Sequence, residues 1–211
     1  MASNNYIYKM SNAGGMSTIT RYTDMLAGNT TWNPWEPAGA YESIATVTLG
    51  SAASSITFSS IPSTYQHLQI RGIAQASTAS ALEDCTISLN SDTTGSNYYN
   101  HRLWGNGASA AAQGFAGGSG YYIYQGVISA NSSTNIFGAI VIDILDYANT
   151  NKNTTTRTLS GVDFNGSGQV ALCSGLWLNT AAVNTVTVSI PVGANLNQYS
   201  SFALYGIKGG N

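Results

Sequence analysis

The sequence predicts an all-β protein: an antiparallel β-sandwich or jelly roll of about ten strands, preceded by an extended N-terminal arm. Three observations predict this class. From Tyr41 onward, apolar and polar residues alternate in short runs, turn-rich Gly, Asn and Ser residues separate the runs, and no strong helical pattern follows residue 40. The chain has 211 residues, which is enough for one sandwich and an arm.

The predicted strands follow one another closely, as expected for antiparallel sheets. The long, mostly small-residue segment 105–120 predicts an exposed loop. In the run 68–74, Leu68 and Ile70 share one face, whereas Ile73 falls on the face of Arg71. The predicted strands are residues 45–49, 56–58, 68–74, 85–89, 98–104, 121–127, 136–145, 155–164, 170–178, 185–190 and 200–207.

Residues 1–39 differ in character from residues 40–211 and are expected to form an anchoring arm. Apolar residues at helical spacing from Met16 to Leu26 indicate a short helix of about three turns, followed by an extended Asn-Pro-Trp-Glu-Pro stretch. So short and aromatic an arm cannot bury its own surface, so it is expected to lie on its own domain, a sister subunit or another protein. The predicted assembly contacts are Tyr6, Tyr8, Met16, Tyr22, Leu26, Trp32 and Trp35.

The composition argues against several classes of function. Only 8% of the residues are charged, and the seven Lys and Arg residues are scattered singly, which gives no basis for nucleic-acid binding. No apolar stretch approaches the roughly 20 residues of a membrane span, and the first residues do not resemble a secretion signal. We therefore expect a protein made in a cytosol, whose neutral Ser-, Thr- and Asn-rich surface suits subunit packing or sugar contact.

The sequence carries no recognisable catalytic, metal or cofactor motif, so we expect a non-enzymatic protein without a cofactor. His67 and His101 are interpreted as polar-face residues, and the 90–95 segment as a turn rather than a calcium loop. A glycan hydrolase or lyase that uses Asp143, paired with Asp146, or Asp163 is the least favoured alternative. Cys85 and Cys173 are interpreted as buried free thiols, with a disulfide as the alternative.

Tyrosines near the middle of the chain are candidates for a ligand or interface surface. Their positions place rings on both faces of their strands, so one set must meet solvent, a sister subunit or a ligand unless cross-strand packing buries it. The candidates are Tyr98, Tyr121, Tyr122 and Tyr124.

Three stretches resemble structural proteins of tailed bacteriophages, particularly cyanophages and other marine phages. They are MSNAGGMSTITRYTDMLAGN (10–29) leading into YESIATVTLGS, then SITFSSIPSTYQHLQIR (55–71), and finally GLWLNTAAVNTVTV with FALYGIKG. The resemblance implies a fibre or capsid-decoration subunit on the virion surface, made in the host cytoplasm. It also implies a homo-oligomer, a trimer, that contacts other capsid, tail or baseplate proteins. A lectin-like tail adhesin for host polysaccharide is the alternative.

Overall fold

A computed structural model of the chain describes residues 11–12, 15–16, 40–115, 123–130 and 135–209. The chain divides into two compact units, residues 1–40 with 210–211 and residues Tyr41–Gly209. In the first unit, strands β1 (Ser11–Asn12) and β2 (Gly15–Met16) pair antiparallel. The helix expected from Met16 to Leu26 falls outside the described residues, except for Met16, which belongs to β2.

The described residues of the second unit form twelve strands, and the prediction of an all-β fold is confirmed. Its described helical residues are confined to two three-residue 3-10 turns, Gly95–Asn97 and Pro191–Gly193. None of the described segments is a helix long and apolar enough to cross a bilayer. The strands are β3 (Tyr41–Thr48), β4 (Ser55–Phe58), β5 (His67–Ala76), β6 (Leu82–Leu89), β7 (Tyr98–Gly105), β8 (Ala110–Phe115), β9 (Ile123–Ala130), β10 (Gly138–Leu145), β11 (Thr154–Asp163), β12 (Gly168–Trp177), β13 (Val186–Ser189) and β14 (Ser201–Ile207).

These strands form a larger and a smaller antiparallel group. The larger group has eight strands in the order β3-β14-β5-β10-β11-β12-β7-β8, and the smaller has four in the order β4-β13-β6-β9. A short parallel pairing joins them, in which Gln75 and Ala76 at the end of β5 meet Ser129 and Ala130 of β9. The eight-stranded group therefore presents one broad face to the smaller group and one broad face away from it.

Strand β9 packs across β10, β11 and β12 on the inner face of the larger group. Small residues permit this close approach: a Cβ on Gly126 would collide with the Ser160 hydroxyl, and one on Gly175 would collide with Ile123. The fifth inward residue of β11 is Val162, and the other four are accordingly hydroxyl-bearing and buried. They are Thr154, Thr156, Thr158 and Ser160, each at most 3% exposed.

The prediction of a loop over residues 105–120 is wrong for its central part. Ala110–Phe115 forms β8, which pairs antiparallel with β7 at the end of the sheet. Residues 110–114 are exposed, so this edge strand has no buried face that would impose alternation of apolar and polar residues. Its sequence therefore lacks the period-two pattern by which the other strands are recognised.

Candidate functional site

The face of the eight-stranded group that points away from β9, here called the outer face, carries an unusual concentration of exposed apolar side chains. Among the described residues, eight large apolar side chains are exposed; besides Tyr41 of β3 at the border, five of them lie on this face. They are Ile73 (49% exposed), Leu103 (53%), Leu159 (57%), Val170 (54%) and Leu172 (49%). Contiguous apolar surface of this kind marks interaction sites more often than isolated exposed residues do.

Strand register places these residues in adjoining cross-strand rows. In one row Leu103 lies opposite Leu172, Leu172 opposite Leu159, and Leu159 opposite Val141. Side chains directly opposite each other on antiparallel strands are about 5 Å apart, so the row forms a continuous apolar ridge across four strands.

The next row alternates small and large residues. Val170 lies between Gly105 of β7 and Gly161 of β11, and Gly161 is followed by Ala139 and Ile73. Since neither glycine has a side chain, Val170 projects above its neighbours with a shallow groove on each side. The outer face thus has relief as well as apolar character.

A polar row borders the apolar rows on the other side, and its charges are largely compensated within the chain. Asp143 accepts a hydrogen bond from Arg157 at 2.9 Å and another from Gln69 at 2.7 Å. Gln69 in turn accepts one from Arg71 Nε at 2.7 Å. The outer face therefore presents little net charge to an approaching surface.

The Arg71 guanidinium lies over two aromatic rings at the border of the outer face. Its distance to the ring centre is 5.5 Å for Tyr41 and 5.7 Å for Tyr205. Cation–π contacts of this geometry favour a fixed position for the guanidinium. The polar border is thus ordered by contacts within the chain rather than left to solvent.

Two open depressions lie on the outer face. One, of about 510 Å³, is lined by residues that include His101, Leu103, Arg157 and Leu172. The other, of about 750 Å³, is lined by residues 105–107 and 166–170 together with Ala139 and Gly161. Both are broad and shallow, a shape that suits contact with another protein surface better than enclosure of a small molecule.

A half-buried ion pair joins the two sheets behind the outer face. Arg102 NH1 of β7 donates to Asp84 Oδ1 of β6 at 2.8 Å, and NH2 donates to Gln113 of β8 at 3.0 Å. The guanidinium lies between the rings of Trp104 and Phe115, at 4.8 and 5.1 Å. Burial raises the pKa of Asp84, and the opposing charge of Arg102 partly offsets this effect. The pair fixes β7, and with it one side of the outer face.

The segment that begins at Asn90 is a turn, as the sequence predicts. Asn90 and Ser91 both have positive φ, and Asp92 N–H donates to Leu89 O at 2.9 Å. The Asp92 carboxylate accepts hydrogen bonds from the Thr94 backbone and from Asn97 and Trp177. Since its oxygens bind these donors, the carboxylate serves the fold. In the described part of the chain, no group of three or more His, Cys, Asp or Glu residues could hold a metal ion.

Cys85 and Cys173 are both free and buried, which confirms the prediction. Burial raises the pKa of the Cys85 thiol to about 12 and that of Cys173 to about 11. The thiolate is the reactive species, so neither group is a nucleophile at neutral pH.

The carboxylates considered for catalysis each have a partner within the fold. Asp143 is paired with Arg157, whereas Asp146 is bonded to Lys152. Asp163 accepts a hydrogen bond from the Asn165 backbone at 2.7 Å, as a turn residue does. His67 Nδ1 accepts from the Asp146 backbone N–H at 2.9 Å. These contacts give the three aspartates and His67 structural roles within the fold.

Of the tyrosine candidates, Tyr98 requires a correction. It is only 3% exposed, and its hydroxyl donates to backbone oxygens at Leu89 and Asp92. Its ring belongs to the core and cannot form a ligand surface. Tyr121 and Tyr122 lie outside the described residues, and Tyr124 lies in β9 with its side chain outside the description.

The predicted arm contacts are not placed either. Met16 belongs to β2, and its side chain is not described. The others lie outside the described residues: Tyr6, Tyr8, Tyr22, Leu26, Trp32 and Trp35.

Sequence reasoning missed the outer-face residues, although a signal was present. Successive residues of a strand point to opposite faces of the sheet. In β12 the even-numbered residues Val170 and Leu172 share one face, whereas the odd-numbered residues Cys173 and Trp177 share the other. A strand with apolar residues on both faces either is buried on both faces or presents one face to a partner. The same signal is present in β11, where Leu159 is opposite in parity to Val162.

No protein-family model, no curated protein and no solved structure matches this chain.

Proposed function

We propose that the chain is a non-enzymatic virion structural protein of a tailed phage, a surface-exposed fibre or capsid-decoration subunit. The observation that carries its structural role is the apolar outer face, with the unbroken row Leu103–Leu172–Leu159–Val141. Exposed apolar surface in a chain with so few charges favours aggregation unless a specific partner covers it. An assembly subunit supplies such a partner, whereas a monomeric enzyme does not need the surface.

The sequence resemblance supports the virion context. It extends from the arm through Ser55–Arg71 to the last strands, and in this proposal residues 1–39 dock the subunit to the particle. The proposed partners are other capsid, tail or baseplate proteins, and the proposed location is the virion surface after synthesis in the host cytoplasm.

Immunogold electron microscopy tests the proposal. Antibodies against the purified chain are applied to phage particles isolated from the lysate that contains it. Gold on the heads or tails of the particles is the expected result. A chain found only in the unassembled fraction, with bare particles, would refute the virion role.

The alternative, a lectin-like adhesin, predicts binding of the full chain to host polysaccharide on a glycan array. Its tyrosine site now lacks Tyr98, which is buried. A decoration subunit without receptor function predicts no signal on the array.

A further inference from the structure

We infer that the outer face is covered by the same face of a second copy of this chain, so that two eight-stranded sheets pack back to back in a two-fold dimer. The inference deepens the proposed function and rests on it for its biological context. The grounds for it are the register, the charge and the area of the outer face.

Register makes the outer face complementary to itself. The six strands β8, β7, β12, β11, β10 and β5 lie side by side, with three on each side of the line between β12 and β11. A two-fold axis along this line, in the plane of the interface, places β12 over β11 of the second copy, β7 over β10 and β8 over β5. Such an interface is isologous, because one patch meets itself.

This symmetry places large residues over small ones. Val170 falls over Gly161 of the second copy, so its side chain enters the groove left by the glycine. Ile73 falls over Ala110, which lies in the same cross-strand row. In the neighbouring row Leu172 meets Leu159, which gives an apolar centre. Interdigitation of this kind is how the inner faces of packed sheets fit together at about 10 Å.

The polar row is also compatible with a second copy. The same axis sets His101 of one copy over Asp143 of the other, and Ser174 over Arg157, because these residues share one row across the sheet. Neither contact brings like charges together, and Arg71, the remaining charge in these rows, keeps its hydrogen bond to Gln69 and its contacts with the Tyr41 and Tyr205 rings. A partner with strong net charge of its own would find no matching field on this surface.

The area reaches what a stable pair requires. Six strands at about 4.8 Å and three rows at about 7 Å give roughly 600 Å² per copy, or about 1,200 Å² for the pair. That total lies at the lower end of specific interfaces. A closed trimer would need two different complementary patches on each copy, whereas the outer face is a single patch that matches itself.

The solution mass of the full-length chain tests the inference. Size-exclusion chromatography with light scattering is expected to give twice the chain mass of 22.0 kDa. Leu172→Asp places a carboxylate at the centre of the interface and is expected to give a monomer, as is Leu159→Asp. Leu178→Asp is the matched control: Leu178 is similarly exposed (41%) but lies six residues after Leu172, beyond the end of β12 and outside the three rows of the proposed interface, so this variant should remain a dimer.

Circular dichroism and a thermal melt confirm that each variant is folded. A monomeric or trimeric wild-type chain overturns the inference without the need for any variant. A dimer that persists in folded Leu172→Asp and Leu159→Asp also overturns it, since the contact would then lie elsewhere. The proposed function fails separately: a dimer that is absent from virions refutes only the virion role, and a monomer found on virions refutes only this interface.

Discussion

Asp92 shows how a single polar residue can join segments far apart in the sequence. Its Oδ2 accepts hydrogen bonds from Asn97 Nδ2 at 2.8 Å and from Trp177 Nε1 at 2.7 Å, and Oδ1 accepts one from the Thr94 backbone at 2.8 Å. Burial raises the pKa of Asp92, but these hydrogen bonds together outweigh it and lower the pKa to about 2. The carboxylate thus links the turn before β7 to the end of β12.

The pH dependence of stability follows from this lowered pKa. Since the ordinary value is 3.8, ionised Asp92 stabilises the fold above that pH, and the contribution is lost as the pH falls toward 2. In Asp92→Asn the amide nitrogen replaces Oδ2 and cannot accept from Asn97 or Trp177. Urea unfolding should show a loss of about 2 kcal/mol at pH 6 that becomes much smaller at pH 2.5. An equal loss at both pH values would contradict the assignment.

At the residue scale, sequence patterns predicted burial well where alternation was clear. They failed where a residue type can lie either on the surface or in the core. The Cys85 and Cys173 thiols are buried as the alternation indicates. Tyr98 was placed on a surface, yet its ring lies in the core and its hydroxyl bonds to the turn at Asp92. A tyrosine can satisfy its hydroxyl inside a protein, so its position in a strand does not reveal which face it occupies.

At the scale of elements, the close contact between β9 and the larger group depends on glycine residues, which have no side chain. Gly175 of β12 lies under Ile123 of β9 and beside Thr156 of β11, so a Cβ there has no room. Since closely packed interiors resist added volume, the glycine sets the distance between the layers at this point.

Gly175→Ala is therefore expected to destabilise the fold by about 1–3 kcal/mol, because the added methyl group forces β9 away from β12. Gly50→Ala is the matched control: a Cβ at Gly50 meets no atom within 4 Å, and the change should stay within about 0.5 kcal/mol. Urea unfolding monitored by tryptophan fluorescence measures both. Equal stabilities for the two variants would show that β9 does not pack as closely as described.

The strands themselves could be predicted from the sequence wherever one face is buried. β10 and β14 alternate strictly between buried residues and partly or fully exposed ones, and both lie close to their predicted ranges. β8 has no such alternation, and its place in the sheet is defined by backbone pairing with β7 and by the contacts of Arg102 with Gln113 and Phe115. Pairing of this kind depends on the partner strand, which a local pattern does not contain.

At the scale of the whole molecule, the fold class followed from the sequence, whereas the candidate site did not. The large apolar side chains in the two apolar rows of the outer face come from five strands: they are Ile73, Leu103, Val141, Leu159, Val170 and Leu172. Each looks like an ordinary strand residue in its own segment. Only the order β7-β12-β11-β10-β5 brings them into adjoining rows, and that order is a long-range property of the chain.

The central claim is that the outer face is an interface between copies, and chemical cross-linking at its centre tests it most directly. In the proposed dimer, the Cα atoms of residue 172 in the two copies lie about 11 Å apart, from one strand spacing and one sheet spacing. The native thiols are buried, so a short bis-maleimide reacts preferentially with an introduced cysteine. Leu172→Cys should give a covalent dimer in high yield, and Leu178→Cys should not. Absence of the cross-link in a folded Leu172→Cys chain, or equal yields from the two variants, would contradict the account.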